Sequence, residues 1–190
     1  NINGYEFTNL KNSLGVIYIV RDPRKVLLSY ANHNQITLEM SLEELLKMTR
    51  LGGNNDFFDT AETHMGTWAS NYHSWKEFKK FKKYLLVKYE DLISKPEETF
   101  VLMLEFVHKL TNTKLTLDKT KLKNVLKTTT FEYMKNLEKK ISFPEAIKIK
   151  DKYSIFFKYG KKNTGENLPI DIKNKIEKNL RAELKELGYI

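Results

Sequence analysis

The chain has 190 residues, and its 33 lysines and arginines against 24 aspartates and glutamates leave a formal charge of +9. Hydrophobic residues at 41% and aromatic residues at 12% can fill a core, which excludes the polar, aromatic-poor composition of a disordered tail. No apolar run exceeds five residues, too short for the roughly 20 of a membrane-spanning helix, and the lack of cysteine excludes disulfides, thiolate metal sites and a cysteine nucleophile. The length suits one domain over residues 1–190, with a cytoplasmic setting as the default.

In chain order, Gly15 to Val20 is β-branched, aromatic and apolar on both faces, the pattern of a central strand covered by helices on either side of a parallel sheet. Asp22 and Pro23 then read as the cap and first residue of a helix running to about Asn34. A second helix is expected over Leu42 to Met48, and Leu51 to Met65, with two adjacent glycines and little periodicity, reads as a long surface loop. Thr67 to Lys79 is helical in pattern, and Tyr84 to Tyr89 is a second strand. Ser94 and Glu97 have the spacing of a capping box ahead of a helix over Pro96 to Leu110, and a further helix covers Asp118 to Leu126. Lys158 to Leu168 is irregular. The last helix, Pro169 to Leu187, aligns Ile172, Ile176, Leu180, Leu184 and Leu187 in one docking stripe, with Gly188 as its stop. Strands separated by helices predict an α/β fold. Two strands alone do not make a stable sheet covered on both faces, so either further strands exist or part of the domain lies outside these residues.

Basic residues here are mostly lysine: only Arg21, Arg24, Arg50 and Arg181 are arginine. Arginine is the side chain that grips phosphate in two-pronged fashion, and two of the four sit at the end of the first strand. That strand's carboxyl end is where open α/β sheets bind ligands, and a helix starting beside it offers backbone N–H groups and a positive dipole end. Ser29, two turns into the helix, can add a hydroxyl to the same oxyanion. The alternative is that Asp22 is only a cap, Arg24 a surface ion-pair partner and Ser29 a filler.

Val20-Arg21-Asp22-Pro23-Arg24 with Ser29-Tyr30 resembles the 3′-phosphate motif of the sulfotransferases that use 3′-phosphoadenosine 5′-phosphosulfate. Gly66 to Trp75 followed by Leu86 to Leu92 is similar to that family's helix and strand downstream, and Phe156-Phe157-Lys158-Tyr159-Gly160 resembles its Phe-x-Arg-Lys-Gly loop over the 3′-phosphate. The resemblance implies a P-loop NTPase-like three-layer fold with a central parallel sheet, here N-terminally incomplete. It implies sulfuryl transfer from that donor to a hydroxyl or amine of a small-molecule or saccharide acceptor, with no metal. It places Arg21 and Ser29 on the 3′-phosphate, Tyr89 on the adenine, and Lys158, Tyr159 and Gly160 in the closing loop. The Gly-rich loop with its lysine and the histidine base have no counterpart, so the catalytic groups are expected upstream of Asn1. Lys158 stands where the family has arginine, Tyr159 where lysine is common, and Asn71 where related sequences carry histidine.

His33, His64, His73 and His108 show no metal-ligand spacing, and His108 reads as a satisfied or partly buried side chain. Trp68, Tyr72 and Trp75 recur at helical spacing and read as core. Tyr89 fits equally as a strand residue. Lys79-Lys80, Lys82-Lys83 and Lys161-Lys162 are solvated faces that would also draw in a polyanion. Two rival classes follow from the residues: a nucleic-acid-binding module, on charge alone, and a nucleotide kinase on the same sheet, which needs a Gly-rich Lys-Ser or Lys-Thr loop that these residues lack.

Overall fold

The computed structural model describes residues 8–47, 49–51, 63–141, 148–149, 152–153, 155–158 and 168–190. Strand β1 (Val16–Val20) leads into helix α1 (Pro23–Asn34), which follows its strand at once because Asp22 accepts a hydrogen bond from Arg24 N and Pro23 presets the helical φ. Helix α2 (Leu38–Leu46) starts earlier than the apolar pattern suggests, since Thr37 caps it through Met40 N. The hairpin β2 (Thr49–Leu51) with β3 (Thr63–Met65) corrects the reading of Leu51 to Met65 as loop throughout; residues 52–62 lie outside the described set. Helix α3 (Trp68–Lys76), capped by Thr67, tightens into a 3₁₀ turn over Glu77–Phe81.

Strand β4 (Tyr84–Lys88) pairs in parallel with β1, Val16 opposite Tyr84 and Val20 opposite Lys88. The two expected strands are thus neighbours, joined by a helical crossover. Tyr89 is not the last strand residue but the first residue of helix α4 (Tyr89–Ser94). Helix α5 (Pro96–Thr111) follows without the expected capping box: Ser94 Oγ donates to Glu90 O inside α4, so its hydroxyl is spent there and no side chain caps α5. Helices α6 (Lys119–Thr128) and α7 (Phe131–Lys140) begin at Asp118 and Thr130, both of which accept backbone N–H bonds as caps. A short pair, β5 (Lys148–Ile149) with β6 (Lys152–Tyr153), precedes helices α8 (Ile170–Asn179) and α9 (Arg181–Glu186). The single terminal helix expected from the pattern is therefore two, broken at Leu180. Gly188 takes φ of +67° just beyond α9, a left-handed stop that glycine adopts without strain.

The main core is built where the terminal stripe docks. Ile172, Ile176, Leu180 and Leu184 pack with Leu27 of α1, Leu42 of α2 and Leu168, all buried. Buried Ser41 donates to Leu27 O at 2.9 Å, which satisfies a hydroxyl that burial would otherwise penalise. Val20, Tyr72 and Leu187 form a second buried group with Tyr18 and Leu86 against it, so α3 and the chain after α9 cover that face of the β1–β4 pair. The other face is less enclosed than expected for a central strand, with Ile19 51% exposed. At Gly15 a Cβ would fall 2.4 Å from Leu110 Cδ1, so glycine is what lets α5 approach the start of β1.

Candidate functional site

The parallel pair ends with Val20 and Lys88 side by side, so the chain leaves both strands at one edge. Arg21 emerges from β1 and Tyr89 from β4. The Arg21 guanidinium carbon lies 4.4 Å from the centroid of the Tyr89 ring, and its Nη1 donates to Ser29 Oγ at 3.3 Å. Residues far apart in sequence thus meet because the strands are neighbours and α1 turns back over their ends. A guanidinium lying over an aromatic face keeps its plane fixed while its edge stays available for hydrogen bonds. Arg21 Nε is buried and has no hydrogen-bond partner among the described residues. A buried charged donor without a partner is costly in a fold that has no use for it, and this one sits beside Ser29 and Tyr89.

Arg24 is held quite differently. Its Nε donates to both carboxylate oxygens of Asp22 at 2.9 and 3.1 Å, Nη1 to Glu177 Oε1 at 2.8 Å, and Nη2 to Tyr189 O at 3.0 Å. The bond to Asp22 raises its pKa above the ordinary value against the opposing effect of burial. Arg24 is therefore more than a surface ion-pair partner: it ties α1 to α8 and to the C-terminal residues. The expectation of available N–H groups at the start of α1 is corrected. Pro23 has none, Asp22 Oδ1 takes that of Arg24, and Asp22 O takes those of Lys25 and Val26. An anion at this edge is thus met by side chains, not by the helix N-terminus.

Glu90, next to Tyr89, accepts from Tyr189 Oη at 3.0 Å and stands 3.8 Å from Lys25 Nζ. Burial and then Glu90 push the Tyr189 hydroxyl upward in pKa, so it remains a donor through neutral pH. These contacts fix the start of α4, and with it the ring of Tyr89. No local sequence signal marks Tyr189, because its partner lies across the fold.

Lys158 is exposed and ends a bend over residues 156–158, where its backbone N–H donates to Phe156 O at 2.9 Å. Asn32 Nδ2 donates to Ile155 O at 3.4 Å, and the His33 ring meets Phe156 edge-on at 5.4 Å. The bend is thus attached to α1 about one turn beyond Ser29. Tyr159 and Gly160 lie outside the described residues. Glu138 of α7, which the sequence reading did not single out, accepts from the backbone of this bend.

Elsewhere, Tyr72 is buried as core, while His108 Nδ1 contacts Thr113 Oγ1 at 2.6 Å and His73 Nε2 contacts Glu183 at 2.8 Å. Tyr18 Oη donates to the exposed Asn71 at 2.9 Å. Among the described residues no group of three or more His, Asp or Glu side chains is placed to hold a metal ion, and no helix is long and apolar enough to cross a membrane.

Residues 7–188 match the family described as Sulfotransferase domain. Human sulfotransferase 2A1 is 30% identical over 124 residues, 63% of this chain and 38% of that protein. Among solved structures, mouse sulfotransferase SULT7A1 complexed with PAP superposes with a TM-score of 0.54 at 17% identity, covering 90% of this chain and 58% of that one. Retinol dehydratase in complex with androsterone and inactive cofactor PAP gives 0.56 at 16% identity, covering 90% and 47%. The chain therefore spans about two fifths of the curated relative it matches, and shares with both solved structures an α/β fold with a parallel sheet. With a family match that runs from before β1 to beyond α9 and includes Arg21, Ser29 and Tyr89, the chain belongs to the sulfotransferase domain family.

Proposed function

We propose that the protein transfers a sulfuryl group from 3′-phosphoadenosine 5′-phosphosulfate to a hydroxyl or amine of a small-molecule or saccharide acceptor, and that Arg21, Ser29 and Tyr89 hold the nucleotide of the donor. The observation that carries this reading is the convergence at one sheet edge of a fixed guanidinium, a hydroxyl bonded to it and an aromatic ring beneath it. Arg21 Nε, buried without a partner among the described residues, supports an oxyanion ligand there. Both solved structures hold PAP, and one also holds androsterone, which supports a nucleotide donor and a small-molecule acceptor.

In such a transfer the acceptor oxygen or nitrogen bonds to sulfur as the bond from sulfur to the 5′-phosphate oxygen breaks. The electron pair leaves with the adenosine 3′,5′-bisphosphate, and the acceptor's proton passes to a base. By analogy with phosphoryl transfer, positioning and charge stabilisation supply most of the rate. Arg21 and Ser29 contribute by fixing the 3′-phosphate, and with it the distance of the sulfur from the acceptor; Lys158, Tyr159 and Gly160 belong to the loop that covers it. The family match favours this reading over a nucleic-acid module or a nucleotide kinase. The test is product formation from labelled donor by the full-length protein over a panel of phenols, sterols, amines and saccharides. Sulfated product from at least one class, falling by about a hundredfold in Arg21→Ala, is expected. Product formation that is unchanged in Arg21→Ala would overturn the assignment.

A further inference from the structure

Glu138 lies near the end of α7, half-buried, and each of its two oxygens takes one of two consecutive backbone N–H groups: Phe156 N at 2.6 Å and Phe157 N at 3.0 Å. The next N–H, that of Lys158, is taken by Phe156 O. The bend is therefore fixed by an external carboxylate at its first two peptides and by itself at the third. Its rings reinforce the same placement. Phe157 meets Phe131 of α7 edge-on at 5.9 Å, and Phe156 meets His33 of α1 at 5.4 Å. A carboxylate that accepts two adjacent N–H groups restrains both position and peptide orientation, and charge-assisted bonds of this kind are about twice as strong as neutral ones. Its charge is occupied by those donors, so it opposes a nearby phosphate less than a bare carboxylate would.

We propose that Glu138 is a positioning residue of the nucleotide site: it holds residues 156–158 against α1, so that the Lys158 side chain is presented to the 3′-phosphate held by Arg21 and Ser29. The proposal rests on the reading of Arg21 and Ser29 as that phosphate's site. Lys158 gives its own N–H to Phe156, so its contribution is its ammonium group, and a flexible four-carbon stem depends on where its backbone is held.

The experiment is calorimetric titration of the full-length protein with adenosine 3′,5′-bisphosphate, alongside hydrogen exchange of individual amides. Glu138→Ala should weaken binding about tenfold and speed exchange at Phe156 and Phe157 while the amides of β1 stay protected. Glu138→Gln, which keeps one acceptor oxygen in nearly the same shape, should lose less. Combined with Lys158→Ala, Glu138→Ala should add little, because both act through one group. Affinity within about twofold of wild type in Glu138→Ala would overturn the proposal, as would losses that add in full, or a loss accompanied by deprotection of β1. A silent Arg21→Ala would overturn the nucleotide site itself, a result distinct from a silent Glu138→Ala beside a disabled Arg21→Ala.

Discussion

Tyr18, Tyr30 and Tyr72 have hydroxyls pushed up to about 12 in pKa, in each case first by burial, which disfavours the phenolate; Glu44 adds to the effect at Tyr30 and Glu186 at Tyr72. Tyr84 is raised too, by burial first and then by the charges of Tyr72 and Tyr18. In the unfolded chain these groups lose protons near pH 10, so between about pH 10 and 12 the folded state binds more protons than the unfolded one. Stability is therefore full below about pH 10 and falls as pH rises toward 12. Urea midpoints measured from about pH 9 to about pH 11.5 should fall, and fall less steeply in Tyr18→Phe, which keeps the ring and removes the ionising group. Identical slopes in the two proteins would contradict the assignment. At this scale the legible part of the site was the local part. Arg21 and Ser29 lie on one strand-turn-helix passage, eight residues apart, so spacing allows them to meet and the resemblance selects that reading over Ser29 as a filler. Tyr89 required the resemblance, since only the pairing of β1 with β4 brings it over Arg21. Glu138 was not legible, because a carboxylate that serves backbone N–H groups 18 and 19 residues later leaves no pattern in either segment.

The elements that the sequence marked well are those whose apolar stripe is deeply buried. Ile172, Ile176, Leu180 and Leu184 are 0%, 0%, 3% and 0% exposed, and the stripe reads through the break between α8 and α9 because the register of buried positions persists across Leu180. Helix α7 was missed for the opposite reason. None of its residues is fully buried and Tyr133 and Leu137 are exposed, so its four apolar or aromatic side chains form no deeply buried stripe. The capping box at Ser94 and Glu97 failed because α4, a short helix outside any strong pattern, already used the Ser94 hydroxyl. Leu184→Ala removes a fully buried side chain from the cluster that joins α8 and α9 to α1 and α2. It should cost about 2–5 kcal/mol, read as a lower urea midpoint at unchanged slope. A loss below about 1 kcal/mol would show that the terminal helices are not part of the main core.

Taken as a whole, the molecule places its scarce arginines and its spread lysines in different roles. The net charge of +9 makes a diffuse field that draws in any polyanion, whereas Arg21 is fixed at the ends of two paired strands against Tyr89 and Ser29. Sheet order decides this, since two parallel neighbours release their chains at the same edge and α1, capped by Asp22 and tied down by Arg24, returns a hydroxyl to it. A diffuse field would bind nucleotides according to total charge, and a built phosphate site would single out one phosphate. Calorimetric titration of the full-length protein with adenosine 3′,5′-bisphosphate and with adenosine 5′-phosphate separates the two. Wild type should bind the bisphosphate at least about tenfold more tightly, and Arg21→Ala should bring the two affinities together, with Ser29→Ala retaining part of the preference because it removes one uncharged donor while the guanidinium charge stays. A preference for the bisphosphate that survives Arg21→Ala undiminished, or no preference in wild type, would contradict the assignment of Arg21 and Ser29 to the 3′-phosphate.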